Sequence, residues 1–231
     1  MTAKVVSAKN TKPSNIDKIR ERNRAKVFVK VLESIRKFKN EFVISVFSDN
    51  EFRRTISDWD VFEFAYECCH NGNFELFKFF VGQLDKLKVH FNQLLNDAVD
   101  NNALDIVKYL VKNKLVVELQ DSFETAIIRG DKEAIDILIK GGISKKTIKE
   151  GFVVACSKGN LDVVNFLEGK IVNFSNKFLE ECLYNAMRGV YKKELVAKLL
   201  KKSKKYKTEK DRQVFLDACR IFNDINSYKI I

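Results

Sequence analysis

From residue 58 onward, apolar side chains recur every three or four positions in short runs, and brief polar turns built on Gly or Asn separate the runs. That period belongs to amphipathic helices, and turns so evenly spaced invite a comparison of the chain with itself. The comparison aligns FAYECCHNGNFELFKFFV (64–81), LNDAVDNNALDIVKYLV (95–111), FETAIIRGDKEAIDILI (123–139) and FVVACSKGNLDVVNFLE (152–168). A looser fifth copy, LYNAMRGVYKKELVAKLL (183–200), has its Gly one position early, and FLDACRIFNDI (215–225) begins a sixth. Each copy holds a small residue in its first half. These are Cys68, Ala98, Ala126, Ala155, Ala186 and Ala218, separated by 30, 28, 29, 31 and 32 positions.

Each copy predicts two helices joined by a tight turn, because Gly72, Asn102, Gly130 and Gly159 accept left-handed backbone geometry. First helices are expected over 122–129 and 149–158, for example, and a second helix over 161–167. A helix carrying Leu161, Val163, Val164, Phe166 and Leu167 within seven residues has too little polar surface to face water. It must lie between neighbours, which a stack of helix pairs supplies. The small residues let the pairs approach, and a leucine at Ala126 or Ala155 would overpack the contact by roughly 1–3 kcal/mol.

In these features the chain resembles the ankyrin repeat family. The matching positions are Ala155, Gly159, Val163, Val164 and Leu167; Ala126, Gly130, Ala134, Ile135 and Leu138; Ala98, Asn102, Ile106, Val107 and Leu110; and Cys68, Gly72, Leu76, Phe77 and Phe80. Gly141-Gly142-Ile143 is similar to the family's glycine turn after the second helix. The family's Thr-Pro-Leu-His opening is absent from every copy, and the chain's one proline is Pro13. The 28- and 29-residue spacings imply clipped hairpins, similar to diverged arrays of large DNA viruses and intracellular bacteria. The resemblance implies an all-α solenoid of stacked helix-turn-helix (ankyrin-like) repeats with divergent terminal caps. It also implies a partner on the face made by hairpin tips and first helices. Carried to this chain, that face holds Trp59 and Phe62, Asn92 and Gln93, Asp121 and Ser122, Lys149 and Glu150, and Asn176 and Lys177. Trp59 suits an anchor that buries a large ring while keeping a polar edge; packing against an N-terminal cap is the equal alternative.

The ends break the pattern. Residues 1–18 are polar and basic and are expected to form a disordered tail. Ala25, Phe28, Val29, Val31, Leu32 and Ile35 form a helical stripe, and 42–47 predicts the next helix, so 19–57 reads as an N-terminal cap or degenerate repeat. About five ankyrin-like repeats are expected over 58–200, then a basic loop and a capping helix over 201–231.

Charge alters this picture at the ends alone. The net +11 is carried by residues 1–30, nine Lys/Arg against two acids, and 192–212, ten against three; the 59–191 stretch has sixteen against nineteen. Contacts to a polyanion would come from Arg20, Arg22, Arg24, Lys201, Lys202, Lys204, Lys205, Lys207 and Lys210. A solvated loop is the favoured reading of the 201–210 run, with a nucleic-acid contact and a nuclear import signal as alternatives. Five cysteines, an odd number inside apolar patterns, read as reduced core thiols, and neither His70 nor His90 has zinc-site spacing. No catalytic residue, cofactor site or metal site is expected: Cys69 and His70, as helix neighbours, point about 100° apart, and Gly141–Thr147 lacks the strand that precedes a phosphate loop. The N-terminus lacks the apolar core of a secretory signal, and no apolar run approaches the roughly 20 residues of a membrane span. The expectation is an intracellular scaffold that holds another protein, cytoplasmic or nuclear, with a viral protein in the host cell or virion among the readings. Non-specific binding of DNA or RNA by the lysine-rich ends is the alternative, and a homodimer remains open.

Overall fold

The structure, a computed structural model, describes residues 15–84, 90–190, 192–203 and 205–227. Wherever the sequence shows a helical period it forms a helix, and the described residues include no strand. The chain divides into two compact units, up to Leu84 and from Asp85. The first holds α1 (Asn15–Arg36), α2 (Asn40–Ser48), α3 (Asn50–Thr55), α4 (Asp58–Asn71) and α5 (Phe74–Val81). The second holds α6 (Phe91–Asp100), α7 (Leu104–Lys112), α8 (Gln120–Arg129), α9 (Lys132–Lys140), α10 (Lys145–Ser157), α11 (Leu161–Glu168), α12 (Asn176–Arg188), α13 (Lys193–Lys202) and α14 (Glu209–Ser227). The boundary falls inside the stretch expected to be one array. Of the expected basic tail, residues 1–14 lie outside the described residues, and α1 already begins at Asn15.

One joint recurs. A residue in left-handed geometry ends the first helix of five pairs: Phe38 (φ 54°), Gly72 (70°), Asn102 (58°), Gly130 (79°) and Gly159 (63°). Four positions before each sits a small residue, Ser34, Cys68, Ala98, Ala126 or Ala155, whose carbonyl accepts a hydrogen bond from the N–H five residues on. The donors are Lys39, Asn73, Ala103, Asp131 and Asn160, at 2.8–3.0 Å. This satisfies a carbonyl that the ending helix leaves without a partner. Three of the donors then turn their side chains to the next helix: Asn73 accepts from Leu76, Asp131 from Glu133 and Ala134, and Asn160 from Val163. One residue therefore closes the first helix and caps the second.

In the first unit, α1 packs on α2 and α4, and α4 on α5. Phe47 stands at the centre, with ring centroids 5.6 Å from Phe64, 5.8 Å from Phe79 and 5.0 Å from Phe80. Buried Asn73 donates to the Ile35 carbonyl and to Asn40 Oδ1, which ties the α4–α5 joint to the α1–α2 joint. Residues 34–47 thus belong to a helix pair with the common joint.

In the second unit, first helices pack in a row, α6 on α8, α8 on α10 and α10 on α12, while α7 packs on α9. Ala98, Ala126, Ala155 and Ala186 are buried in that row. Polar bonds join residues one repeat apart: Thr125 to Asn96 at 2.8 Å, Arg129 to Asp100 at 3.2 Å and Lys170 to Asp136 at 3.2 Å. The two ion pairs, both solvent-accessible, contribute at most about 1 kcal/mol each, so the apolar row dominates. The α12–α13 pair departs from the pattern. Gly189 is not left-handed (φ −88°), and Val190 N–H donates 2.7 Å to the Ser157 carbonyl of the preceding joint. A Cβ on Gly189 would stand 1.8 Å from that carbonyl oxygen, and one on Gly159 would stand 2.4 Å from the Val190 oxygen.

Two alanine substitutions separate these requirements. At Gly72 a Cβ meets nothing within 4 Å, so Gly72→Ala incurs only the left-handed penalty of roughly 1–2 kcal/mol. Gly189→Ala must push apart two backbones as well, and it is expected to shift the urea midpoint further, with the slope unchanged. Equal midpoints would disprove the interlocked joint.

Candidate functional site

The loops between pairs build a concavity in the second unit. Lys114, left-handed at φ 52°, ends α7, and the Leu115 N–H returns to the Leu110 carbonyl at 3.0 Å. The loop then runs outward and is held to the preceding pair by one side chain. Asn92 Oδ1, on α6, accepts from the Val117 and Glu118 N–H groups at 3.1 and 3.3 Å. The opposite wall follows α9. Gly141 lies so close to Val111 that a Cβ would come 2.5 Å from its Cγ1. Gly142 turns with φ 116°, and Ser144 caps α10 by accepting from the Thr147 N–H at 3.0 Å. Between the walls lies an open groove of about 750 Å³, lined by Val116, Val117, Glu118, Asp121, Ile143 and Thr147 among others. Val117 is 89% exposed. The groove mixes the apolar side chains of Val116, Val117 and Ile143 with the charges of Lys114, Glu118 and Asp121, an arrangement for holding a segment of another molecule.

Of the residues expected to meet a partner, Asp121 lines the groove, and Asn92 shapes it by bracing the loop. Gln93 is exposed nearby on α6. Two expectations are corrected. Ser122 is 2% exposed and Phe62 7%, because each faces the core side of its helix, and neither presents a surface to a partner. Trp59, in the first unit, is 55% exposed, with its ring edge-on to Phe62 at 5.7 Å. Lys149 lies over the Phe178 ring, Glu150 pairs with Lys146, and Asn176 and Lys177 are exposed in the first turn of α12. The structure therefore spreads the ten residues over α4, α6, α8, α10 and α12. The groove residues that sequence reasoning passed over are Val116, Val117, Ile143 and Thr147. Their one signal was Val116-Val117, an apolar pair in a linker.

The expected polyanion contacts are partly spent on the protein itself. Arg24 binds Asp60 at 2.5 Å, Lys202 pairs with Glu168, and Lys205 reaches Glu180 at 3.5 Å. Arg22, Lys201, Lys207 and Lys210 are exposed. Lys204 and the Arg20 side chain lie outside the described residues. A second hollow, of about 850 Å³ in the first unit, has Val27 and Phe52 in its lining and Arg24 and Arg54 beside them.

All five cysteines are buried thiols. Burial pushes the Cys68 thiol far above its ordinary range and Cys219 up to about 11, which keeps both protonated at neutral pH. Gly141–Thr147 follows α9 and opens α10, as a turn between helices. Among the described residues, no group of three or more His, Cys, Asp or Glu could hold a metal ion, and no helix is long and apolar enough to cross a membrane. Comparison with protein-family models, curated proteins and solved structures finds no match.

Glu168 gives the second unit a testable pH response. Burial pushes its carboxyl up, but hydrogen bonds and charge from Lys198 and Lys202 outweigh that and hold it below the usual glutamate value. A depressed folded-state pKa stabilises the protein above the unfolded-state value, and the gain disappears as pH falls through the folded-state value. Thermal melts from pH 7 to pH 3 should show Glu168→Gln less stable than the parent at pH 7, with the gap closing in acid. A gap independent of pH would show that the ion pairs contribute nothing.

Proposed function

We propose that the chain is an ankyrin-like repeat protein that works by holding another protein, and that the partner seats in the groove between the 113–119 and 141–144 loops. One observation carries the reading: the five-fold recurrence of a small residue with a left-handed residue four positions later, joined at three of the five joints by a shared helix cap. Helix pairs joined in this way are the building principle of ankyrin-like stacks, whose loops and first helices bind partners. The 28–34 residue spacing of the joints supports the same reading. Ankyrin hairpins extend further than the clipped loops here, so the contact surface is shallower and rests on groove walls rather than on finger tips.

The groove is suited to a short extended segment. Its apolar side, Val116, Val117 and Ile143, takes an aliphatic or aromatic side chain, and the Asp121 and Glu118 carboxylates favour a basic residue beside it. The loops move little on binding, because Asn92 and the Lys114 turn already fix one wall and the close packing of Gly141 fixes the other.

Quantitative affinity capture from cell extract tests the reading with the full chain, a Val117→Asp/Asp121→Lys variant and a Lys132→Glu control on the exposed side of α9. The expected result is a protein enriched equally by parent and control and at least tenfold less by the groove variant, about 1.4 kcal/mol of binding. A partner retained equally by all three, or no partner at all, rejects the groove as the site.

A further inference from the structure

We propose that a separate surface of the second unit, the lysine-rich skin over Phe174 and Phe178, binds the phosphate backbone of a single-stranded nucleic acid. It does not depend on the groove, and it joins residues that lie far apart in the sequence. Phe174, in the loop before α12, contacts Phe152 of α10 at 5.4 Å and Phe178 of α12 at 5.7 Å. Two ammonium groups converge on these rings: Lys149 Nζ lies 5.5 Å from the Phe178 centroid, and Lys202 Nζ lies 5.1 Å from that of Phe174. Lys177 stands in the first turn of α12 next to Phe178, and Lys201 is beside Lys202 in the last turn of α13. Lys205 reaches back to Glu180 on α12, which brings the 205–207 segment to the same edge.

The charge on this edge exceeds what the protein itself neutralises. Glu168 and Glu180 engage Lys198, Lys202 and Lys205. Lys149, Lys177, Lys201 and Lys207 have no acidic partner among the described residues. Helix polarity adds to the cost, since a cation near a helix N-terminus is unfavourable. The starts of α7, α8, α9 and α11 each carry an acid in the first turn. Those of α10 and α12 carry none, and hold Lys145 and Lys146, and Lys177, instead. Phosphate oxygens relieve this excess and release the counterions that otherwise screen it.

The rings favour a single strand over a duplex. Phe174 and Tyr206 are half-exposed among the lysines, and a single strand can lay unpaired bases on such rings while its phosphates follow the ammonium groups. A duplex keeps its bases stacked inside and offers only phosphate. The surface differs from the lysine run at 201–210 considered alone, because Lys149 and Lys177, which sit on first helices, complete it.

Fluorescence anisotropy with a 20-nucleotide oligothymidylate and the full chain tests the proposal. Four unpaired lysines at about 0.7 ions released per phosphate predict roughly 50-fold weaker binding at 200 mM than at 50 mM salt. Lys177→Glu/Lys201→Glu removes two of the four, so the loss across that salt range should fall to roughly 7-fold, and affinity at 50 mM should drop at least tenfold. Lys177→Gln/Lys201→Gln, with melting curves for both variants, separates charge loss from unfolding and should weaken binding by a smaller factor. A duplex of the same length should bind more weakly than the single strand. No binding up to about 100 μM at 50 mM salt, binding unchanged in both variants, or a duplex bound as tightly would each overturn the proposal.

Discussion

The structure turns on a single hydrogen bond, made five times, in which a backbone N–H donates to the carbonyl of a small buried residue five positions earlier. Left unmade in the core, such a carbonyl costs roughly 1–3 kcal/mol. To make it, the chain must reverse through a left-handed residue, which is why Gly72, Gly130 and Gly159 are glycine and Asn102 is asparagine. The same six residues meet a second demand, because the side chain at the anchor sits where adjacent first helices touch and must be small. A third demand is met by the donor residue, which starts the next helix. Packing, turn geometry and capping are thus compressed into one short segment, and the pairs can stand side by side only where all three agree.

This compression is why so much of the fold was legible. Anchor, left-handed residue and apolar run are each readable as residue types, and their spacing repeats. The α1–α2 pair escaped clear recognition because Ser34 and Phe38 occupy the anchor and turn positions. An aromatic residue with positive φ carries none of the signal that glycine carries. The fifth copy was visible as irregular, since Gly189 arrives one position early. The physical meaning of that shift, a backbone interlock with Ser157, depends on which chain lies next to it, and sequence does not hold that information. The boundary at Leu84 was equally silent, since the pattern runs through it without a change in composition.

The groove was less legible than the fold. Its walls come from two linkers 28 residues apart, and its shape depends on Asn92, a polar residue on a helix face that looked like a contact and acts as a brace. The family resemblance assigned Ser122 and Phe62 to the partner face by their place at the start of a first helix, whereas both are buried on the core side. Likewise, net charge located the lysines without showing that Lys202 and Lys205 are paired to Glu168 and Glu180, while Lys149 and Lys177 join them from elsewhere.

The interlock between Gly189 and Ser157 has a kinetic consequence. Each ordinary joint closes a loop of six residues, and each pair meets its neighbour about thirty residues away, so the nucleus of folding is cheap in chain entropy and can arise at several places. Helix pairs that meet only their neighbours can open one at a time. Where the Val190 N–H holds the Ser157 carbonyl, however, the α10–α11 and α12–α13 pairs are expected to open as one. Amide exchange across 145–202 should then follow one shared opening event rather than a graded series, which makes this segment the cooperative block of the second unit.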